Sequence, residues 1–295
     1  MINIGLIGYN EGNGHPYSFS AIINGYNPKM MSSCPYKVIY TYLESRPKSE
    51  LGLENMRVTH VWCPERVVAE NIASCTNIAV VVDRYEEMTD SVDAVIIARD
   101  DVESHYRIAR YFLDKGKYVM VDKPLTDNME HLKYYIPFLE SGKLLTGSGL
   151  RYKSEMRTGF YGRLKREDVL FVNAYSVLDW KKYAIHVLEA VTPIMGVDIE
   201  TITAMHQGDN LFAKIDYCGG RYLTIQINKN VSFGICAVFF TRNGDQYRVD
   251  FDDNFGCFKY MLEEFRRMIQ TGNPVISPSE TINIITAIIR GEKNI

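Results

Sequence analysis

Along the first half of the chain, short apolar runs alternate with longer amphipathic stretches. Ile2–Ile7 reads as a strand, and a turn rich in glycine and asparagine leads into a helix over about 15–24. Further strands are expected over 58–62, 77–82, 93–98, 118–121 and 144–148, with helices over about 64–74, 103–115 and 128–141. Short apolar strands alternating with helices specify right-handed βαβ crossovers and hence a parallel, doubly wound sheet. One stretch breaks the rhythm. Residues 28–56 separate the first helix from the second strand, longer than a simple connection. The apolar, aromatic run within it, 38–43, predicts a helix or an extra strand packed on the domain.

Past Arg151 the pattern becomes that of hairpins. Strands are expected over 169–177, 199–206, 212–217, 222–227, 235–241 and 246–251, divided by turn signals such as Cys218-Gly219-Gly220 and Asn243-Gly244-Asp245. A helix over about 181–195 comes early in this half, and an amphipathic one over 255–270 comes late, apolar at 258, 261, 262, 265, 268 and 269. The chain therefore reads as α/β in two domains. Residues 1–150 form a Rossmann doubly wound parallel sheet, and 151–295 an α+β domain on a mostly antiparallel open sheet with helices on one side.

Composition narrows the function classes. With 295 residues, 46% hydrophobic and 23% charged, the chain can build two real cores. The net charge of -3 is interspersed, so no basic stripe suggests nucleic acid. The opening MINIGLIG has no basic segment ahead of its apolar run, unlike a signal peptide, and the apolar runs are far too short for a bilayer. Six cysteines, at 34, 63, 75, 218, 236 and 257, form no C-x-x-C pair. That usage fits reduced thiols in a cytoplasm and no zinc site. His186 and Glu189 have metal-ligand spacing, but no second pair completes a site, so no metal is expected.

Candidate chemistry lies at the C-terminal ends of the parallel strands, where ligands bind in such sheets. The first turn reads Gly8-Tyr9-Asn10-Glu11-Gly12-Asn13-Gly14-His15. Glycines let backbone approach a pyrophosphate, and the helix N-terminus offers N–H groups and a positive dipole end. Gly8, Asn10, Glu11, Gly12, Gly14 and His15 are thus candidate cofactor contacts, although Asn10 and Asn13 stand where G-x-G-x-x-G has glycine. Cys63 occupies the second-strand position where an acid binds ribose hydroxyls; Arg66 beyond it faces a 2′-phosphate or is plain surface. The fourth strand runs into Ala98-Arg99-Asp100 and a helix carrying His105, and the fifth ends in Asp122-Lys123-Pro124. A dinucleotide is expected across these ends.

Together these pieces resemble the Gfo/Idh/MocA oxidoreductase family. The resemblance rests on the opening strand and turn, the run from His105 through Asp122-Lys123-Pro124-Leu125, the segment Gly147-Ser148-Gly149-Leu150-Arg151-Tyr152, and the open-sheet second half. Asp-Lys-Pro looks like the family's Glu-Lys-Pro motif. The resemblance implies NAD or NADP as cofactor, and hydride transfer in an interdomain cleft to or from a hydroxyl carbon of a sugar, polyol or sugar derivative. It implies Lys123 as the residue holding the reacting oxygen, also touching nicotinamide, and His186 as the acid/base. Arg151, Tyr152 and Lys182 would line the substrate pocket, and the exposed sheet of the second domain would make a homodimer or homotetramer. That second half is shorter than is usual in the family, implying trimmed loops.

One departure bears on mechanism. The family's aspartate, four residues before the histidine, is Lys182 here. On an α-helix residues 182, 186 and 189 share a face, so an ammonium would disfavour the imidazolium and Glu189 would restore part of the support. The broken glycine motif, Cys63 and Lys182 together motivate an alternative: a non-catalytic nucleotide- or sugar-binding member that has lost turnover. A different enzyme on the same scaffold, such as a lyase, is a third possibility, since fold does not fix function.

Overall fold

In the first half the apolar runs become six strands of one parallel sheet: β1 (Ile2–Ile7), β2 (Met56–Trp62), β3 (Val80–Val81), β4 (Ala94–Ile97), β5 (Tyr118–Val121) and β6 (Leu144–Thr146). Their order is β3-β2-β1-β4-β5-β6, every pair parallel. β1, β4 and β5 are covered on both faces, which is why their sequences are nearly continuous runs of Ile, Val, Leu and Met. This is the expected Rossmann sheet. The computed structural model describes residues 1–294.

Helices α1 (His15–Asn24), α4 (Arg66–Thr76), α5 (Val102–Leu113) and α6 (Met129–Glu140) follow the expected crossovers. The long connection holds two helices, α2 (Pro28–Met31) and α3 (Lys37–Glu44), which settles its 38–43 run as helical. α3 buries Ile39 and Leu43, and its Tyr42 hydroxyl donates to Ser18 Oγ of α1 at 2.5 Å. β3 is shorter than the 77–82 run suggested. Asn77 takes a left-handed φ of 57° to cap α4, and Ile78 N–H returns to Ala73 O at 3.1 Å. Those residues end a helix instead of starting a strand.

The second sheet has the order β12-β11-β7-β10-β9-β8. Its strands are β7 (Val169–Val177), β8 (Ile199–Gln207), β9 (Asn210–Tyr217), β10 (Arg221–Asn228), β11 (Cys236–Thr241) and β12 (Gln246–Asp250). All pairs are antiparallel except β7 with β10, so it is the mostly antiparallel open sheet expected. Alternate residues of β9 and β10 are buried, and the others face outward. Between the sheets in sequence lie two single turns, α7 (Ser154–Arg157) and α8 (Gly159–Gly162).

The 181–195 region is not one regular helix. Trp180–Ala184 is a π-turn, and α9 (Ile185–Met195) follows. A helix the pattern did not suggest, α11 (Pro278–Glu292), packs on α9 and β8. Trp180 Nε1 donates to Ile288 O of α11 at 3.0 Å, its ring lying where a side chain at Gly291 would be.

The chain divides into two units that interleave along the sequence. One comprises Met1–Asp122, Pro137–Thr146 and Phe258–Val275; the other Lys123–Ile136, Gly147–Cys257 and the stretch from Ile276. Most of α10 (Asn254–Thr271) thus groups with the Rossmann sheet and not with the second sheet. Phe258 packs edge-on against the rings of His15 and Phe19, each at 5.2 Å, and Arg266 donates to Glu54 O. The apolar stripe read from the sequence is buried at Met261, Leu262, Phe265 and Met268, and its Phe258 end packs on α1.

Candidate functional site

In the first unit the strand order reverses between β1 and β4, the switch point where open α/β sheets bind ligands. The turn after β1 is held in place by its own departures from the glycine motif. Asn10 Oδ1 accepts from Asp100 N at 3.0 Å and Asn10 Nδ2 donates to Asp100 Oδ1 at 2.6 Å, tying the turn to the end of β4. Buried Asn13 accepts from His15 N at 2.8 Å and donates to Asp122 Oδ2 at 3.1 Å, tying it to the end of β5. Asparagine replaces glycine at both positions because its amide makes the bond.

His15 Nδ1 lies 2.5 Å from the same Asp122 oxygen, and its ring stacks on Phe19. Arg99 donates to Tyr9 O at 2.7 Å and grips Asp101 with two bonds of 2.8 and 2.7 Å; buried His105 lies 2.8 Å from Arg99 O. Burial pushes the Asp101 carboxyl up, but Arg99 more than offsets it and holds the group below the usual carboxylate range.

Gly14 is required by packing: a Cβ there would strike Ile39 and Tyr36, so the α2–α3 insertion seats directly on the turn. Gly12, at φ 84°, has nothing within 4 Å of its Cβ position. The first turn of α1 holds no acid and its N-cap, Gly14, supplies no side-chain acceptor. An open glycine before an uncapped helix N-terminus fits the diphosphate of a dinucleotide.

The ribose side is less typical. Cys63 is buried beside Gly8, and burial pushes its thiol up to about 12, so it is neutral and no substitute for a carboxylate. Arg66 is exposed and paired with Glu70 at 2.9 Å and with Asp83. Ala98 is buried and Glu11 exposed.

In the second unit two candidate groups, Lys123 and His186, come together around Tyr183. Buried Lys123 places its ammonium 5.6 Å from the centre of the Tyr183 ring, and that ring lies 5.6 Å from the imidazole of His186. Ser148 Oγ is 2.6 Å from His186 Nδ1. The segment carrying Ser148 turns at Gly147, whose φ of 144° and 3.0 Å Cβ distance to Glu189 Oε2 leave room for glycine alone. Ser148 then caps the next turn, accepting from Leu150 N at 3.1 Å.

Two expectations about the histidine's surroundings are corrected. Glu189 does not support His186; it is fully buried and bound by Arg151 Nε at 2.7 Å, with Arg151 Nη1 on Glu280 at 2.6 Å. Burial opposes the Arg151 charge, and the two carboxylates more than offset it. Nor does the α-helical spacing of 182 and 186 apply. The π-turn bonds i to i+5, and Asp179 caps it by accepting from Lys182 N at 2.8 Å. Tyr152 is buried, and Lys181 pairs with Asp127. Ser148, Tyr183 and Glu280 were not singled out from the sequence. Among the described residues, no group of three His, Cys, Asp or Glu is placed to hold a metal.

Residues 37–145 match the model of an oxidoreductase family with an NAD-binding Rossmann fold. That family is Gfo/Idh/MocA. The resemblance drawn from the sequence is thus matched over residues 37–145, and NAD or NADP is the cofactor that fits. No curated protein matches the chain. Solved structures share its fold. UDP-N-acetylglucosamine 3-dehydrogenase from Acidithiobacillus ferrooxidans is 14% identical with a TM-score of 0.76, covering 100% of this chain and 98% of that one. Scyllo-inositol dehydrogenase from Lactobacillus casei is 12% identical with a TM-score of 0.77, covering 100% and 96%. Myo-inositol 2-dehydrogenase from Lactobacillus plantarum is 11% identical with a TM-score of 0.77, covering 99% and 96%. This chain covers 96–98% of the length of these three. No helix among the described residues is long and apolar enough to cross a membrane.

Proposed function

We propose that the protein is an NAD(P)-dependent oxidoreductase acting on a hydroxyl carbon of a sugar, polyol or sugar derivative. The observation that carries this is the Lys123–Tyr183–His186 cluster, which sets an ammonium and an acid/base a ring apart. When bound, the nicotinamide supplies a hydride acceptor or donor. Gly12, the α1 N-terminus and the Asn10–Asp100 and Asn13–Asp122 ties would hold the dinucleotide. Lys123 would hold the reacting oxygen, and His186 would exchange its proton; Tyr152 and Lys182 would face the substrate, and Arg151, bound by Glu189 and Glu280, would hold that segment in place.

We further infer a homodimer or homotetramer through the outer face of the second sheet. Phe171 stacks between Tyr222 and Phe240, at 5.0 and 4.5 Å, and beside this half-exposed ladder is a depression of about 570 Å³ lined by Ala204, Met205 and Phe212. The cytoplasmic assignment rests on the scattered cysteines.

The test is mass spectrometry for a co-purified dinucleotide, then the nicotinamide absorbance change with a panel of inositols, sugars and nucleotide sugars. Dinucleotide binding without turnover across that panel favours the alternative, a binding member that has lost catalysis. Its support is the absence of an acid at Lys182 and at Cys63.

A further inference from the structure

We propose that Ser148 is the positioning residue of His186, standing in for the acidic partner that the helix lacks at Lys182. This rests on the proton-exchange role given to His186 above. The serine side chain is 2% exposed, and its oxygen lies 2.6 Å from Nδ1. The same oxygen accepts the Leu150 N–H, so the hydroxyl is pinned by the turn after β6 and does not wander. A hydroxyl offers two acceptor positions and one proton. Leu150 fills one acceptor position, and in the proposed arrangement the other takes Nδ1–H.

With Nδ1–H donated to Oγ, the lone pair of His186 sits on Nε2. Nε2 is then the atom that exchanges a proton with the substrate oxygen. In oxidation the carbinol O–H bond would break and an Nε2–H bond form, the C–H hydride leaving to the acceptor that bound nicotinamide would supply; in reduction both transfers reverse. Ser148 neither gains nor loses a proton in either direction.

The substitution of a hydroxyl for a carboxylate has a consequence for charge. A carboxylate would stabilise the imidazolium; a neutral hydroxyl orients the ring with far less support for its charge. Around His186, Lys182 and Tyr183 lie on its own turn, Lys123 stands over the Tyr183 ring, and the Glu189 carboxylate one turn on is bound by Arg151, which also holds Glu280. The hydroxyl thus holds the histidine for proton exchange.

The experiment uses the full chain labelled with ¹⁵N-histidine, the His186 signals being assigned by their loss in His186→Asn. Imidazole ¹⁵N shifts are recorded against pH for the wild type, Ser148→Ala, Ser148→Thr and Ser148→Asp. The wild type and Ser148→Thr should show one dominant tautomer, Ser148→Ala an average of two, and Ser148→Asp a titration midpoint moved upward. With whichever substrate the panel identifies, Ser148→Ala should lower kcat about 10- to 100-fold, the scale of a misplaced group, with KM nearly unchanged. His186 shifts and titration indifferent to Ser148→Ala and Ser148→Asp would overturn the proposal whether or not the protein turns over. Serine-dependent spectra in a protein that turns over nothing would support the hold on His186 and refute the oxidoreductase reading instead.

Discussion

Arg151 and Glu189 bind each other in the interior of the second unit, Nε to Oε2 at 2.7 Å, with side chains 9% and 1% exposed. Glu280 from α11 closes the other side of the guanidinium at 2.6 Å. The pair fastens the Gly149–Tyr152 turn to α9 and α11, and so fixes the segment that presents Ser148. Removing Arg151 strands the buried Glu189 carboxylate. Arg151→Met should therefore cost about 3–5 kcal/mol in urea unfolding, whereas Arg151→Met combined with Glu189→Leu should recover much of that. An Arg151→Met variant of wild-type stability would mean that the Glu189 carboxylate is satisfied elsewhere.

The Arg99–Asp101 pair predicts acid sensitivity with a definite sign. The Asp101 carboxyl is lower in the folded chain than in the unfolded one, so its contribution is present above the ordinary carboxylate range and is lost as pH falls through the folded value. Asp101→Asn should lower stability by roughly 1–2 kcal/mol at neutral pH and by nothing in strong acid, read from denaturant midpoints at a series of pH values. A gap between the two proteins that stays constant with pH would rule this out.

Cysteine labelling should separate surface from interior. Cys218 is exposed, although its bond to Glu200 raises the thiol, and it should react first with iodoacetamide, faster as pH rises. Burial pushes Cys63 and Cys257 up to about 12 and Cys75 to about 11, so these three should stay unmodified in the folded chain at pH 8. Peptide mass spectrometry gives the order directly. Prompt labelling of Cys63 would show that the end of β2 is open to solvent.

Much of this architecture was legible because the relevant physics is local. β1, α1, β5 and β7 begin and end where their apolar runs and turn residues say they should. Asn10 and Asn13 looked like damage to a glycine motif, because a single position cannot reveal its partner 90 or 109 residues away. Ser148 was hidden for the same reason: its meaning comes from His186, 38 residues on. α11 went unpredicted: Ile282, Ile284, Ile285, Ile288 and Ile289 are β-branched, which favours strand over helix. Ser277 followed three residues later by Glu280 was the available helix-start signal. The π-turn leaves no periodic trace, since it is set by Trp180 docking against Gly291.

The two glycines of the first turn should separate stability from binding. Gly14→Ala drives a methyl into Ile39 and Tyr36 and should cost about 1–3 kcal/mol, with the α2–α3 insertion loosened. Gly12→Ala meets no neighbour but must hold φ at 84°, so the backbone of the open turn shifts. Its main effect should be a Kd for NAD(H) or NADP(H) raised by tenfold or more in calorimetric titration, with stability lowered by about 1 kcal/mol from the strained φ. Unaltered affinity for all four dinucleotides in Gly12→Ala would place the diphosphate elsewhere.

Lys123 and Tyr183 give the most direct test of the chemistry. The ammonium stands over the tyrosine ring, and a cation over an aromatic face away from water gains up to about 2 kcal/mol. Tyr183→Leu keeps the bulk and removes that attraction, so the ammonium should sample more positions and kcat should fall by up to about tenfold. Lys123→Ala should fall much further in kcat while cofactor affinity changes little, because a group that holds the reacting oxygen acts mainly as charge develops there. His186→Ala should cost on the order of 10²- to 10⁴-fold. The ranking is the informative part. If Lys123→Ala weakened dinucleotide binding and spared the rate of bound enzyme, the lysine would be a cofactor contact and not the holder of the reacting oxygen. If His186→Ala ran at the wild-type rate, proton exchange would belong to another group, and Tyr183, the ring between the two, would be the first to examine.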